Sequence, residues 1–167
     1  IITVSDSNAV DSAKNDKFGC SEIVSAEDYV NALGAQIRVN NVGMRFGFSW
    51  DRLDELEDMA TTVNYGFLIT YSDTDTLNYN KADRRFKAKN TVQNGNTTYF
   101  NLVLTQIPKS ELNTIASVRG YVNIDGMFFY SPIVKRSYSQ VANAVLEDEG
   151  IDDNIKQSVF SLLKKGV

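Results

Sequence analysis

Histidine is absent from the 167 residues. That removes the commonest general base, the commonest metal ligand and the side chain that titrates near neutral pH. Every Ser-His-Asp or Cys-His arrangement is excluded with it. Cysteine occurs once, as Cys20, so neither an internal disulfide nor a thiolate metal cluster can form. A single cysteine suits a cytosolic protein and equally an exported one from a cell that seldom uses disulfides. There is no basic surplus either: 17 Lys and Arg face 21 Asp and Glu, for a net charge of −4. The basic residues are scattered, with short pairs such as Lys135-Arg136 and Lys164-Lys165, which argues against a nucleic-acid partner. No apolar run approaches the roughly 20 residues that cross a bilayer as a helix, so no transmembrane segment is expected. The sequence opens on Ile1-Ile2-Thr3-Val4 without a charged and apolar leader, and reads as mature or trimmed.

The residues present describe an ordinary globular chain, 43% hydrophobic and 23% charged. Eight Tyr and nine Phe accompany one Trp, a balance that suits half-buried strands. Residues 1–25 read as a loose lead-in with one short edge strand near Ile1–Val4, and a helical turn is expected through Tyr29–Asn31. Ala35, Ile37 and Val39 alternate with Gln36, Arg38 and Asn40, a period-two strand. Asn40-Asn41 turns the chain into a second strand, Val42 to Trp50. Asp51 to Ala60 then changes period and predicts a short amphipathic helix. Val63 to Tyr71 and Tyr99 to Gln106 are expected strands, and Phe86 to Val92 is a weaker one. Asp125-Gly126 joins Ile115–Ile124 to Met127–Tyr130 in a hairpin. Ser137–Glu147 and Asp152–Lys165 read as helices, with Gly150 ending the first and Asp152 capping the second. The fold expected is mainly β within the α+β class: an antiparallel β-sandwich-like domain with one short inserted helix and two C-terminal helices. The module proper spans residues 26–147, and residues 148–167 form a helix packed on it or extending from it.

Several blocks recur in order: Gly34-Ala35-Gln36-Ile37-Arg38, Gly43-Met44-Arg45-Phe46, Tyr65-Gly66-Phe67-Leu68-Ile69, Val118-Arg119-Gly120-Tyr121-Val122, Asp125-Gly126 before Tyr130, and Ser137-Tyr138-Ser139-Gln140-Val141-Ala142. This series resembles a module found in large secreted or cell-surface proteins of gut Firmicutes and related bacteria. There it sits beside leucine-rich repeats, Ig-like domains, dockerins or carbohydrate-active modules. The resemblance covers Leu33 to Ala144; Met44 stands where Leu is usual, and Phe67 where a small or polar residue is common. It implies an extracellular or cell-surface location and a β-rich architecture rather than a chemistry.

Candidate site residues follow from residue type. Arg38, Arg45 and Arg119 lie in strands beside apolar residues, where a charge must be paired or stacked. Together they would grip a carboxylate or a sugar hydroxyl; separately each packs locally. Trp50 with Phe48, or Tyr71 with Tyr79 and Tyr99, would offer a flat platform to a sugar ring, or serve as sheet packing. Asp73 and Asp75, with Asp83 near, have oxygens for calcium but lack the glycine and terminal glutamate of an EF-hand loop. The acid-rich stretch Glu147–Asp153 reads as helix caps. Cys20, with Lys17 near it, has no histidine to activate it. No cofactor is expected beyond that weak calcium possibility. The expected function is a noncatalytic, monomeric module of a larger surface protein, a spacer or adhesion domain. The alternatives are a carbohydrate-binding module, with polysaccharide, surface glycan or protein as partner, and a hydrolase domain using carboxylates alone.

Overall fold

The computed structural model describes residues 3–4, 9–11, 26–27, 30–38 and 42–165. Along the chain run strands β1 (Thr3–Val4), β2 (Ala9–Asp11), β3 (Ala26–Glu27), β4 (Val30–Arg38) and β5 (Gly43–Asp51), then the single helical turn α1 (Asp54–Glu57). Strands β6 (Val63–Thr70), β7 (Arg84–Ala88), β8 (Val92–Asn94) and β9 (Thr97–Thr105) follow. A 3-10 turn at Lys109–Glu111 precedes β10 (Ala116–Ile124), β11 (Met127–Tyr130) and β12 (Val134–Arg136). Two helices, α2 (Tyr138–Glu147) and α3 (Asp153–Lys165), close the order. The result is the α+β, mainly antiparallel fold that the alternation predicts.

The strands form two sheets. The first runs β1–β9–β5–β4, with β8 beside β9; the second runs β2–β7–β6–β10–β11–β3, with β12 also beside β10. Every described pair is antiparallel except β11 with β3. The sheets face each other across one aromatic core. Met44, Phe46, Phe48 and Trp50 point inward from β5, and Phe100, Leu102 and Leu104 from β9. Phe67 and Ile69 of β6 and Val118, Val122 and Ile124 of β10 meet them. Phe48 packs 5.9 Å from Phe67 and 5.8 Å from Phe100, centroid to centroid. That packing depends on Gly120: a Cβ there would lie 2.7 Å from Phe48 ring atoms, so β10 must be bare where the ring seats.

Strand β10 is buried along all nine residues. An antiparallel sheet usually leaves one face in water. Here the segment 71–83 folds over the outer face of the second sheet and encloses a second, smaller core of Leu68, Leu77, Tyr79, Tyr121, Phe128 and Tyr130. The β10–β11 hairpin turns at Asp125 and Gly126, with φ of 50° and 93°, the doubly positive pair of a type I′ turn. The Asp125 carboxylate accepts the Thr61 N–H at 2.9 Å and the Thr62 N–H at 2.8 Å, fixing that turn to the start of β6.

Helix α2 starts on a reciprocal cap: the Gln140 N–H donates to Ser137 Oγ and the Ser137 N–H to Gln140 Oε1. The N–H and hydroxyl of Ser139 both donate to the Leu112 carbonyl, each at 2.9 Å. Tyr138 and Ala142 enter the shared core, as does Val159 of α3.

Five local expectations need correction. The helix expected over Asp51–Ala60 is only Asp54–Glu57: Leu53 packs on the core but Met59 is 88% exposed, so the far end of the apolar stripe has no surface to pack on, and so short a helix does not persist unaided. Asn31, expected in a helical turn, is in β4, and residues 28 and 29 lie outside the described residues. Within the lead-in, Thr3–Val4 is the short strand expected near Ile1–Val4 and pairs with β9, and Ala9–Asp11 pairs with β7; the other lead-in residues, Cys20 included, lie outside the described residues, as does Asn40-Asn41. Phe86–Val92 is not one strand, because β7 belongs to the second sheet and β8 to the first. Gly150 does not terminate α2: the helix ends at Asp148, whose backbone is extended and whose Oδ1 accepts the Gly150 N–H at 2.9 Å. Asp152 caps α3 as expected, its Oδ1 accepting the Asn154 N–H at 2.7 Å.

Candidate functional site

The outer face of the first sheet gathers the polar and aromatic groups that remain open to a partner. Strand parity decides which residues reach it. The odd-numbered residues of β5 and β9 point away from the core, so Arg45, Gly47 and Ser49 lie beside Val103, Asn101 and Tyr99. Across β4, Gln36 pairs with Arg45 and Gly34 with Gly47. The Arg45 Nη2 donates to Gln36 Oε1 at 2.8 Å, and Arg38 follows on the same face, exposed. Leu33, Gly34, Gln36, Arg45, Gly47 and Asn101 surround a depression of about 90 Å3. A side chain at Gly47 would meet Asn101 Oδ1 and Leu33 Cβ no closer than 3.4 Å, so packing does not demand a glycine there. An unforced glycine inside a strand marks a place where another group can approach the backbone. Tyr99, 37% exposed, lies one row away and carries Val92, 65% exposed, beside it. The face thus offers a guanidinium, carboxamides and one phenol ring, the groups that hydrogen-bond and stack on a polar ring.

Arg119 does not join this group. It sits on the second sheet, 6% exposed, with Nε donating to the Ser131 carbonyl at 2.5 Å and Nη1 to the Leu77 carbonyl at 2.8 Å. Its guanidinium stacks 5.1 Å over the Tyr130 ring. The bond to Leu77 ties the 71–83 segment to the sheet, while Ser131 and Tyr130 fix the guanidinium from the sheet side. The Thr74 N–H donates to Ser117 Oγ at 3.2 Å and the Tyr79 N–H to the Tyr130 hydroxyl at 3.1 Å. Asp83 closes the neck of the segment, its Oδ2 accepting the Tyr71 N–H at 3.3 Å.

The acids considered for calcium serve the same segment. Lys135 Nζ contacts Asp73 at 2.7 Å and also Asp75, and hydrogen bonding to the two raises its pKa. The hydrogen bond from Lys135 holds the Asp75 carboxyl below its usual range. A lysine ammonium therefore stands where a cation would. Among the described residues no three Asp, Glu, His or Cys side chains are grouped to hold a metal. Asp125 also titrates low, because the Thr61 and Thr62 N–H groups donate to its charged form.

The proposed aromatic platforms do not assemble. Trp50 and Phe48 are fully buried, and Trp50 packs 5.3 Å from Phe129 while its Nε1 donates to Glu57 Oε2 at 3.4 Å. Tyr79 is 2% exposed in the second core, edge-on to Tyr121 at 5.5 Å. Tyr71 is half-buried against the main core, and burial raises its hydroxyl pKa. Of the sequence-nominated aromatics, Tyr99 alone faces solvent. Leu33, Gln36, Gly47 and Asn101 escaped residue-type reasoning, although the alternation through Gln36 and through Tyr99–Asn101 marks their face.

Neither a family model, nor a curated protein, nor a solved structure matches this chain.

Proposed function

We propose that the chain is a noncatalytic module of a secreted or cell-surface bacterial protein, serving as a structural spacer or adhesion domain. The observation that carries this reading is where the reactive-looking groups go. Trp50 and Tyr79 fill cores, Arg119 ties down a covering segment, and Asp73, Asp75 and Asp125 bind neighbouring lysine or backbone donors. Cohesion takes up the chemistry. The block series that resembles the bacterial surface module also coincides with β4, β5, β6, β10 and α2, the elements that build the sandwich.

An antibody raised against the module tests the location. Labelling of intact, unpermeabilised cells of the organism that encodes it is expected, and labelling only after permeabilisation refutes the surface assignment.

A second reading, carbohydrate binding, is favoured by one observation: exposed Tyr99 shares the outward face of the first sheet with Asn101, Gln36 and Arg45. Electrophoresis through gels containing single polysaccharides discriminates. Retention by one polysaccharide that is lost in Tyr99→Ala supports sugar binding. Unretarded migration across the panel discards it.

A further inference from the structure

Across the edge of β4 from that face, with Gln36 common to both, the helical side of the sandwich carries an open groove of about 620 Å3 between β4 and the α2–α3 corner. Ala35, Gln36 and Ile37 of β4 line one wall. Consecutive strand side chains point to opposite faces, so a space touching all three lies against the edge of the strand. β4 ends its sheet: β5 pairs with one side, and on the other no described strand pairs, although Lys135 and Arg136 of β12 approach it at Ala35 and leave the edge open from Gln36 onward. Val141 and Val145 of α2 form the opposite wall, and Ile151 and Ile155 close the far end. Ile155 is 43% exposed there, an apolar side chain in water without a described cover.

The charged residues that line the groove itself are acidic, while Lys135 and Arg136 line an adjoining depression that shares Ala35, Val141 and Ala144 with it. Asp148 and Asp152 line the groove, and each accepts a local backbone N–H through Oδ1, from Gly150 and Asn154. Those bonds fix the side chains without cancelling their charge. Exposed Glu147, Glu149 and Asp153 adjoin them in sequence. Lys156, which would offset them, lines a separate depression with Leu146 and Phe160.

Apolar walls, an open strand edge and an acidic rim together select a ligand class. An anionic ligand is repelled, and an uncharged sugar would leave the valine and isoleucine walls unmatched. We propose that the groove docks an extended peptide segment of a protein partner, with apolar side chains inserted between β4 and α2 and Lys or Arg beside Asp148 and Asp152. This is the strand-edge mode of peptide recognition, in which main-chain groups add affinity and the side-chain pockets add selectivity. The inference holds independently of where the module is displayed.

The test uses two synthetic peptides of alternating residues, one of Val and Lys and a counterpart of Val and Glu, titrated into the isotope-labelled whole chain at low salt. The Lys peptide is expected to shift the amides of Ala35–Ile37, Val141–Val145 and Ile151, and to bind more weakly as salt screens the rim. Asp148→Asn with Asp152→Asn keeps both caps, since Asn also accepts the N–H, and removes two charges. Roughly tenfold weaker binding is expected of that variant. Phe160→Ser, on the other side of α3, should bind as the parent does. Four outcomes overturn the proposal: equal binding of the Glu peptide, shifts confined to other amides, no binding at millimolar peptide, or shifts in the same amides that grow with protein concentration alone. The last would assign the groove to a second copy of the chain.

Discussion

Replacing Arg119 by methionine keeps most of the apolar stem and deletes the fork that holds segment 71–83. Two charge-assisted donors are lost, to the Ser131 and Leu77 carbonyls, at about 1.5–3 kcal/mol each. The stacking over Tyr130 goes with them. The Leu77 carbonyl of the segment and the Ser131 carbonyl of the sheet side are each left with one donor fewer, so the expected loss is about 3–5 kcal/mol. In a domain of this size each kcal/mol lowers Tm by about 2–4 °C, which puts the variant about 6–20 °C below the parent. Calorimetry measures the total, and hydrogen exchange shows where it originates. The Thr74 and Tyr79 amides bond to Ser117 and Tyr130 across the segment interface, so their protection should collapse while that of the β5–β9 amides persists below Tm. Arg119→Lys keeps the charge without the fork and should recover only a small part. An Arg119→Met protein that melts with the parent, or that exchanges Tyr79 no faster, refutes the clamp.

Four further outcomes follow from the same geometry. Gly120→Ala presses a Cβ to 2.7 Å from Phe48 and should cost about 1–3 kcal/mol, whereas Gly47→Ala should be neutral or slightly stabilising; urea denaturation that ranks the two alike would contradict this. Asp125→Asn retains a residue that tolerates the positive φ but loses the charge. The folded pKa of Asp125 is depressed, so the parent's advantage is present above the unfolded carboxyl range near about 3.9 and fades as pH falls through the lower folded value; a gap in urea midpoint that does not change down to about pH 2 counts against it. Burial pushes the Tyr138 hydroxyl up to about 12, so its contribution is complete below pH 10, the ordinary tyrosine value, and is lost as pH rises towards 12. Tyr138→Phe should blunt alkaline unfolding followed by circular dichroism, and an unchanged alkaline midpoint speaks against the burial argument. Because Lys135 stands between Asp73 and Asp75, neither calcium nor a chelator should move Tm, and a calcium-dependent rise of several degrees would show that the ion displaces the lysine.

Parity and turn chemistry made much of the architecture legible. Asp125-Gly126 announces its hairpin because only a few residues accept two positive φ values, and the helix expected over Ser137–Glu147 is α2. The same parity that sends Met44 and Phe46 inward also sends Phe48 and Trp50 inward, so their role as core was readable although the platform reading set it beside a binding role. Other features depend on distant partners. Leu77 and Tyr79 are two apolar residues in a polar stretch, and only the outer face of β10 makes them a core. Arg119 resembles a surface charge until the covering segment is in place. The break between β7 and β8 falls at Lys89-Asn90-Thr91, without a Gly or Pro to announce that the chain changes sheet. The Leu53, Leu56 and Met59 stripe has helical spacing, yet only Leu53 reaches the core and Met59 stays in water, too little packing to extend a helix.

Pairing at the start of the chain bears on how quickly the protein can form. Thr3 pairs with Thr105 in one sheet and Ala9 with Ala88 in the other, so each sheet joins strands far apart in sequence. Neither half of the sequence contains a complete sheet. Folding must close long loops before those contacts reward it, which places the domain among slow-folding sandwiches, on the order of milliseconds to seconds. A nascent chain therefore stays open until most of it has emerged, and a cut between β7 and β8 would leave two fragments that recover native structure only together.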